Sequence, residues 1–200
     1  AQSDTYDQDW RWVQFTTEAG LPSDHIFNIA ETNDGTVWVA TAGGIAWYDG
    51  YRWIPIDSAL APISGRPDAF YVDFDNQILV AFDGRCYIGG KSGFKLLCDL
   101  YARSALPFAR DSVLLTVNNS LYVYSRGKAL LFNAKATPPL GEVLEIWRTV
   151  GGGIWVNTWD GLYRWEGDRW KLKLKSEVHQ LRVARHVLLE NDRGVGIASI

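Results

Sequence analysis

Apolar residues in this chain come in short runs, broken at close intervals by Gly, Asp and Asn. Five six-residue runs can be laid over one another: Thr36–Thr41 (TVWVAT), Gln77–Phe82 (QILVAF), Ser120–Ser125 (SLYVYS), Gly153–Thr158 (GIWVNT) and Gly194–Ser199 (GVGIAS). A turn precedes each one, at Asp34-Gly35, Asp75-Asn76, Asn118-Asn119, Gly151-Gly152 and Asn191 to Gly194. Ahead of each turn stands another apolar run: Ile26–Ala30, Phe70–Phe74, Val113–Val117, Val143–Trp147 and Val183–Leu189. Runs this short, rich in β-branched and aromatic residues and bounded by residues that accept positive φ, predict strands joined by tight turns. We name the first two strands of each repeat a and b; c and d follow, as around Tyr48 and Trp53 in the first repeat.

The repetition is specific. Gly35, Trp38, Val39, Thr41, Gly44, Arg52 and Trp53 recur as Gly152, Trp155, Val156, Thr158, Gly161, Arg169 and Trp170, all at one offset of 117 residues. A period of about 40 residues is that of four-stranded propeller blades, and the offset is then three repeats. The aligned runs are spaced by 41, 43, 33 and 41 residues, so the third repeat is the short one. After Lys128–Asn133 little room remains before Pro138-Pro139, which predicts a reduced or missing outer strand there. At the start, Tyr6–Phe15 (YDQDWRWVQF) resembles Tyr48–Ile56 (YDGYRWIPI), whereas the chain ends after an a and a b strand. The two ends therefore complete one blade. The expectation is a single all-β domain over 1–200, a β-propeller of about five four-stranded blades at 21–57, 63–98, 106–134 and 140–175, with a composite blade of 177–200 and 1–16. Closing the ring in this way hides both sheet edges that would otherwise template aggregation.

The stretch from Leu21 carries a resemblance. Leu21-Pro22-Ser23, Asp34-Gly35, Val37-Trp38-Val39-Ala40-Thr41, Gly43-Gly44-Ile45 and Tyr48-Asp49-Gly50 look like the two-component regulator propeller repeat. Gly152–Trp165 matches its second half, whereas the second and third blades are degenerate. Members of that family commonly form the periplasmic sensor part of hybrid histidine kinases, often responding to glycans. The resemblance implies a non-catalytic sensing propeller in the periplasm or outside the cell.

Composition narrows the alternatives. The chain has 200 residues, 47% of them hydrophobic, enough for a core. A net charge of −3 and a pI near 5.6 argue against a nucleic-acid partner bound through phosphate neutralisation. No apolar run approaches the roughly 20 residues of a membrane helix, so no membrane insertion is expected. The chain contains no Met, and its Ala1-Gln2 start fits either signal-peptide cleavage or a cloning boundary. A periplasmic or secreted location follows from the first of these. Cys86 and Cys98 lie nearly symmetrically about Gly89-Gly90-Lys91-Ser92-Gly93 in one predicted hairpin. They form either a cross-strand disulfide in an oxidising compartment or two small buried thiols.

Catalytic templates are missing from the sequence: there is no GxSxG, HExxH, CxxC or Walker glycine loop. Neither a cofactor nor a metal is expected. The recurring tryptophans Trp12, Trp38, Trp53, Trp155 and Trp170 occupy fixed repeat positions and read as packing between blades. Departures from the repeat are more informative about function. In a propeller the d–a connections and b–c turns share one face of the ring, here the upper face, and the a–b and c–d turns share the lower face. On the upper face the first blade carries only Ala42-Gly43-Gly44, whereas the fourth carries Trp159-Asp160-Gly161. The second and third are expected to place Asp83-Gly84-Arg85 and Ser125-Arg126-Gly127 there, with His25, Arg66 and Arg110 on the adjoining d–a loops. A non-repeating tryptophan among charged groups suits a small polar ligand or an oligosaccharide: its face stacks, and the charges hold hydroxyls. The candidate ligand-binding residues are therefore Trp159, Asp160, Arg126, Asp83, Arg85, His25, Arg66 and Arg110. Two other classes remain: a scaffold propeller binding another protein domain or a kinase receptor, and a secreted glycan lyase or glycosidase.

Overall fold

The structure is a computed structural model that describes residues 13–132, 136–137, 140–149, 151–175, 186–191 and 194–199. The fold is all-β and propeller-like. The first blade comprises β1 (Ile26–Glu31), β2 (Val37–Thr41), β3 (Gly44–Tyr48) and β4 (Trp53–Pro55), hydrogen-bonded in chain order. The second has β5 (Ala69–Val72), β6 (Ile78–Phe82), β7 (Arg85–Gly90) and β8 (Gly93–Asp99); the third has β9 (Ser104–Ala109), β10 (Ser112–Val117), β11 (Ser120–Ser125) and β12 (Lys128–Leu131). A short strand, β13 (Ala136–Thr137), precedes the fourth blade, β14 (Val143–Arg148), β15 (Ile154–Thr158), β16 (Gly161–Trp165) and β17 (Trp170–Lys175). β13 pairs in parallel with the outer strand β17, so the connection between blades adds a fifth strand to this sheet. A last hairpin pairs β18 (His186–Asn191) with β19 (Gly194–Ser199) as a separate two-stranded sheet. Residues 1–12, with Trp12 and most of the predicted outer strand at the N-terminus, lie outside the described residues.

Turn chemistry sets the register of the first blade. Thr32 Oγ1 donates to Asp34 Oδ1 at 2.6 Å and the Thr36 amide donates to the same oxygen at 3.2 Å, closing the β1–β2 turn. These bonds to the ionised form, the Thr32 hydroxyl first, hold the Asp34 pKa down at about 2.

The third blade corrects two expectations. It is complete, with β12 as its outer strand, and its phase differs from the sequence alignment by one strand. Ser120–Ser125 is strand c rather than b, and Val113–Val117 belongs to b rather than a. The a strand is β9, which contains Pro107. Proline removes a ladder donor and is tolerated in an edge strand, where one side of the backbone needs no sheet partner. The short interval accordingly falls between the b strands of the second and third blades, starting at Ile78 and Ser112.

The first strand of each blade is innermost: β1 approaches β5, β5 approaches β9, and β9 approaches β14. Hydrophobic clusters fill the spaces between blades. Trp38 and Ala40 of the first blade pack with Phe70, Ile78 and Val80 of the second. Leu79 and Ala81 pack with Ala105, Val113 and Leu115 of the third. Leu106, Leu114 and Leu121 pack with Ile146, Val156 and Trp170 across the third and fourth. The recurring Trp38, Trp53, Trp155 and Trp170 are all buried, which is the packing role expected of repeat positions.

Candidate ligand-binding site

The inner strands β1, β5, β9 and β14 line an open axial cavity of about 1020 Å³. Its walls follow from the repeat. Asn28, Ala69, Ser104 and Glu145 hold equivalent places on β1, β5, β9 and β14, each opposite residue 40, 81, 116 or 157 of the neighbouring b strand. All four line the cavity, and three are polar. One layer away on the same strands, Tyr71 and Trp147 line it with aromatic surface, where the first blade has Ala30. The upper-face connections contribute Arg66, Asp68, Tyr101 and Arg103 at its mouth.

Asn157 sits in this wall with a buried side-chain Oδ1 that has no hydrogen-bond partner. The first and second blades have Ala40 and Ala81 at its position, and the third has Thr116. Buried polar atoms are nearly always paired, so an unpaired amide carbonyl bordering a cavity is poised for a donor from a ligand.

Charges of both signs meet at the mouth. Burial raises the Asp68 carboxyl above the ordinary carboxylate range, against the pull of Arg66 and Arg103 and with a further push from Asp83. Deeper in, burial raises the Tyr71 phenol above its usual value, helped by Glu145 and opposed by Arg148. Arg148 donates to the Pro107 carbonyl and lies 5.4 Å from the Phe74 ring, tying the lower part of the inner strands together.

Tyr101 stands out at the mouth. It is 79% exposed and holds a φ of 51°, a left-handed conformation uncommon for a large side chain. It rests against the turn at Gly84, where an added Cβ would come within 3.1 Å of both the Tyr101 Cα and its ring. The pair Gly84 and Tyr101 is thus built to set an aromatic ring beside the opening, and local strain of this kind clusters at binding sites.

A hydrogen-bonded rim supports Arg103. Its Nη1 donates to Asn119 Oδ1 at 3.4 Å, Asn119 Nδ2 donates to Glu142 Oε2 at 3.3 Å, and Trp159 Nε1 donates to the same oxygen at 3.0 Å. Trp159 is therefore joined to the site through Glu142 and Asn119, but it is not part of the cavity wall. Asp160 lies against Gly141 at the same rim, where any side chain on Gly141 would collide with its carboxylate.

Of the residues expected from sequence, only Arg66 lines the cavity. His25, Asp83, Trp159 and Asp160 occupy upper-face loops, and Arg85 opens β7 at the same face, paired to Asp99 at 3.2 Å. Arg110 and Arg126 move to the lower face. With the third blade shifted by one strand, Arg110 falls in its a–b turn and Arg126 in its c–d turn. There they stand 3.7 Å from Asp75 and 3.9 Å from Asp111, respectively. Cys86 and Cys98 are both buried and free, and directly opposite in the β7–β8 ladder. Sequence reasoning missed Asn28, Tyr101, Arg103, Glu145, Trp147 and Asn157. The signal for Trp147 and Asn157 is a departure from Ala30 and Ala40 at fixed strand positions, not in the loops.

Fold and site define the class as a β-propeller with a polar axial cavity. The family model described as "Two component regulator propeller" matches residues 20–43, so the first blade carries the repeat expected from its letters. No curated protein matches the chain in sequence. Among solved structures, it is similar to the extracellular domain of a hybrid two component system from B. thetaiotaomicron, with 17% identity and a TM-score of 0.52 over 76% of this chain and 22% of that one. It is also similar to virginiamycin B lyase from Staphylococcus aureus crystallised with quinupristin (14%, TM-score 0.59, 87% of this chain and 62% of that one). A streptogramin B lyase gives 15% identity and a TM-score of 0.61 over 90% of this chain and 64% of the lyase. The chain thus spans about a fifth of the two-component domain and under two thirds of either lyase. At these identities the likeness is one of fold.

Proposed function

We propose that this chain is a non-catalytic recognition propeller, working in the periplasm or outside the cell, that binds a small polar ligand or the end of an oligosaccharide in its axial cavity. The observation that carries this reading is the convergence of Asn28, Ser104, Glu145 and the unpaired Asn157 carbonyl within one cavity whose mouth holds Tyr101. Ligand sites combine a shaped recess, aromatic surface and a few fixed polar groups, and this cavity has all three. The repeat at 20–43 and the fold shared with a two-component extracellular domain support a sensing role and an extracytoplasmic setting. Partners then include the rest of a kinase receptor or another protein domain that reads the liganded state.

A thermal-shift screen against mono- and oligosaccharides and other small polar compounds tests the proposal. A ligand present at one hundred times its Kd raises stability by about 2.7 kcal/mol. For a chain of this size the melting temperature then rises by roughly 5 to 10 °C. A flat response across the panel, or turnover of a glycan by the protein, contradicts the proposal.

A further inference from the structure

Cys86 and Cys98 are paired residue to residue across β7 and β8, both buried, with a β-bulge immediately beside them at Cys86/Tyr87. Directly opposed residues of an antiparallel pair have Cα atoms about 4.5 or 5.5 Å apart, depending on the type of pair. Both values fall inside the roughly 4.4–6.8 Å span that a disulfide bridges without backbone movement. Each cysteine belongs to the core between the second and third blades, where the thiols are small apolar fillers and a bridge needs no added volume. The chain position is equally telling. Cys98 is followed by Asp99, which pairs with Arg85, and by the segment that carries Tyr101 and Arg103 to the cavity mouth. That segment is otherwise anchored by the Ala102 amide on the Gly84 carbonyl at 2.9 Å and the Arg103 amide on the Thr116 carbonyl at 2.8 Å.

We propose that Cys86 and Cys98 are a site of oxidative modification, forming a cross-strand disulfide that staples β8 to β7 and so fixes the Tyr101–Arg103 side of the cavity mouth. The oxidant is another disulfide, of a protein or a small molecule such as glutathione. One thiolate attacks it and forms a mixed disulfide with release of one thiol. The second thiolate then attacks the mixed disulfide, closes the bridge and releases the other thiol, so two protons and two electrons leave the pair. With Cys86 0% and Cys98 5% exposed, exchange takes place before β8 docks fully, during folding.

In the cell this proposal rests on the extracytoplasmic setting, but its chemistry is tested independently of ligand binding. The full chain is refolded in a glutathione redox buffer, denatured without reductant, and examined by thiol titration and mass spectrometry. The expected result is no titratable thiol and a mass lower by about 2 Da, with no adduct. Relative to the reduced protein, the melting temperature should rise by roughly 5 to 10 °C. Trypsin should cut after Arg103 several-fold more slowly in the oxidised form. In Cys98→Ser, both differences between oxidising and reducing conditions should vanish. Two titratable thiols per chain, or glutathione left on either cysteine, overturns the bridge. A bridge that leaves cutting at Arg103 unchanged overturns the stapling of the mouth. A chain that forms the bridge yet binds nothing in the thermal-shift screen keeps this inference and loses the ligand reading.

Discussion

Replacing Asn157 by Ala should make the protein more stable and a poorer binder. The perturbation returns the fourth blade to the residue that the first and second blades already carry at this place, Ala40 and Ala81. It removes a buried carbonyl oxygen with no partner, and such an orphan costs about 1–3 kcal/mol. Against this stands the loss of dispersion contacts of the removed atoms, about 0.1–0.2 kcal/mol per contact. Because Asn157 borders a cavity of about 1020 Å³, part of its surface has no packing partner to lose, and truncation there enlarges an existing space. The expected net gain is about 1 kcal/mol, or roughly 2–4 °C in melting temperature for a chain of this length. Urea unfolding followed by tryptophan fluorescence and a thermal scan measure it. The same variant should bind the ligand found by screening at least tenfold more weakly, about 1.4 kcal/mol. A loss of stability of 1 kcal/mol or more would refute the reasoning, since it would mean that Oδ1 is satisfied in solution. Unchanged affinity would remove Asn157 from the site.

Three further outcomes follow from the packing and the rim. Trp155 is 1% exposed, so Trp155→Ala should cost about 3–5 kcal/mol in urea unfolding; a change under 1 kcal/mol would contradict its place in the core. Asp34 titrates at about 2 rather than 3.8, so its stabilising contribution is present above pH 3.8 and is lost as pH falls toward 2. Asp34→Asn should therefore flatten the decline in melting temperature over that window, and an unaltered pH profile would count against the turn. Trp159→Phe keeps the ring and removes the bond to Glu142. It should weaken ligand binding by a few-fold through Arg103 while changing the melting temperature by about 3 °C or less. A loss of binding as large as that of a cavity-wall variant would show that Trp159 itself touches the ligand.

The fold was legible where local chemistry and repetition agree. Asp34-Gly35 and Gly151-Gly152 mark the same turn before the same tryptophan strand, and the burial of Trp38 and Trp155 follows from their recurrence. The phase slipped in the third blade for two physical reasons. Pro107 disguised the inner strand, because a proline in a run argues against a central strand and only the edge position permits it. Asn118-Asn119 imitated the a–b turn; both residues adopt positive φ, 46° and 58°, as a tight hairpin requires, but they join b to c. That slip alone sent Arg110 and Arg126 to the wrong face. Asn28 and Glu145 were illegible because a single repeat read in isolation gives no sign that its first strand faces the axis. The aromatic at the mouth was hidden differently, since Tyr101 lies in a connection with no repeat counterpart.

The central claim is that the axial cavity, entered past Tyr101 and Arg103, is where this propeller binds. Calorimetric titration of the best screening compound into the parent protein, Tyr101→Ala, Arg103→Ala and Arg110→Ala tests it most directly, since Arg110 lies on the opposite face. The account predicts at least a tenfold loss of affinity, about 1.4 kcal/mol, for the first two variants and none for Arg110→Ala. Full affinity in Tyr101→Ala and Arg103→Ala, or a loss confined to Arg110→Ala, would contradict it.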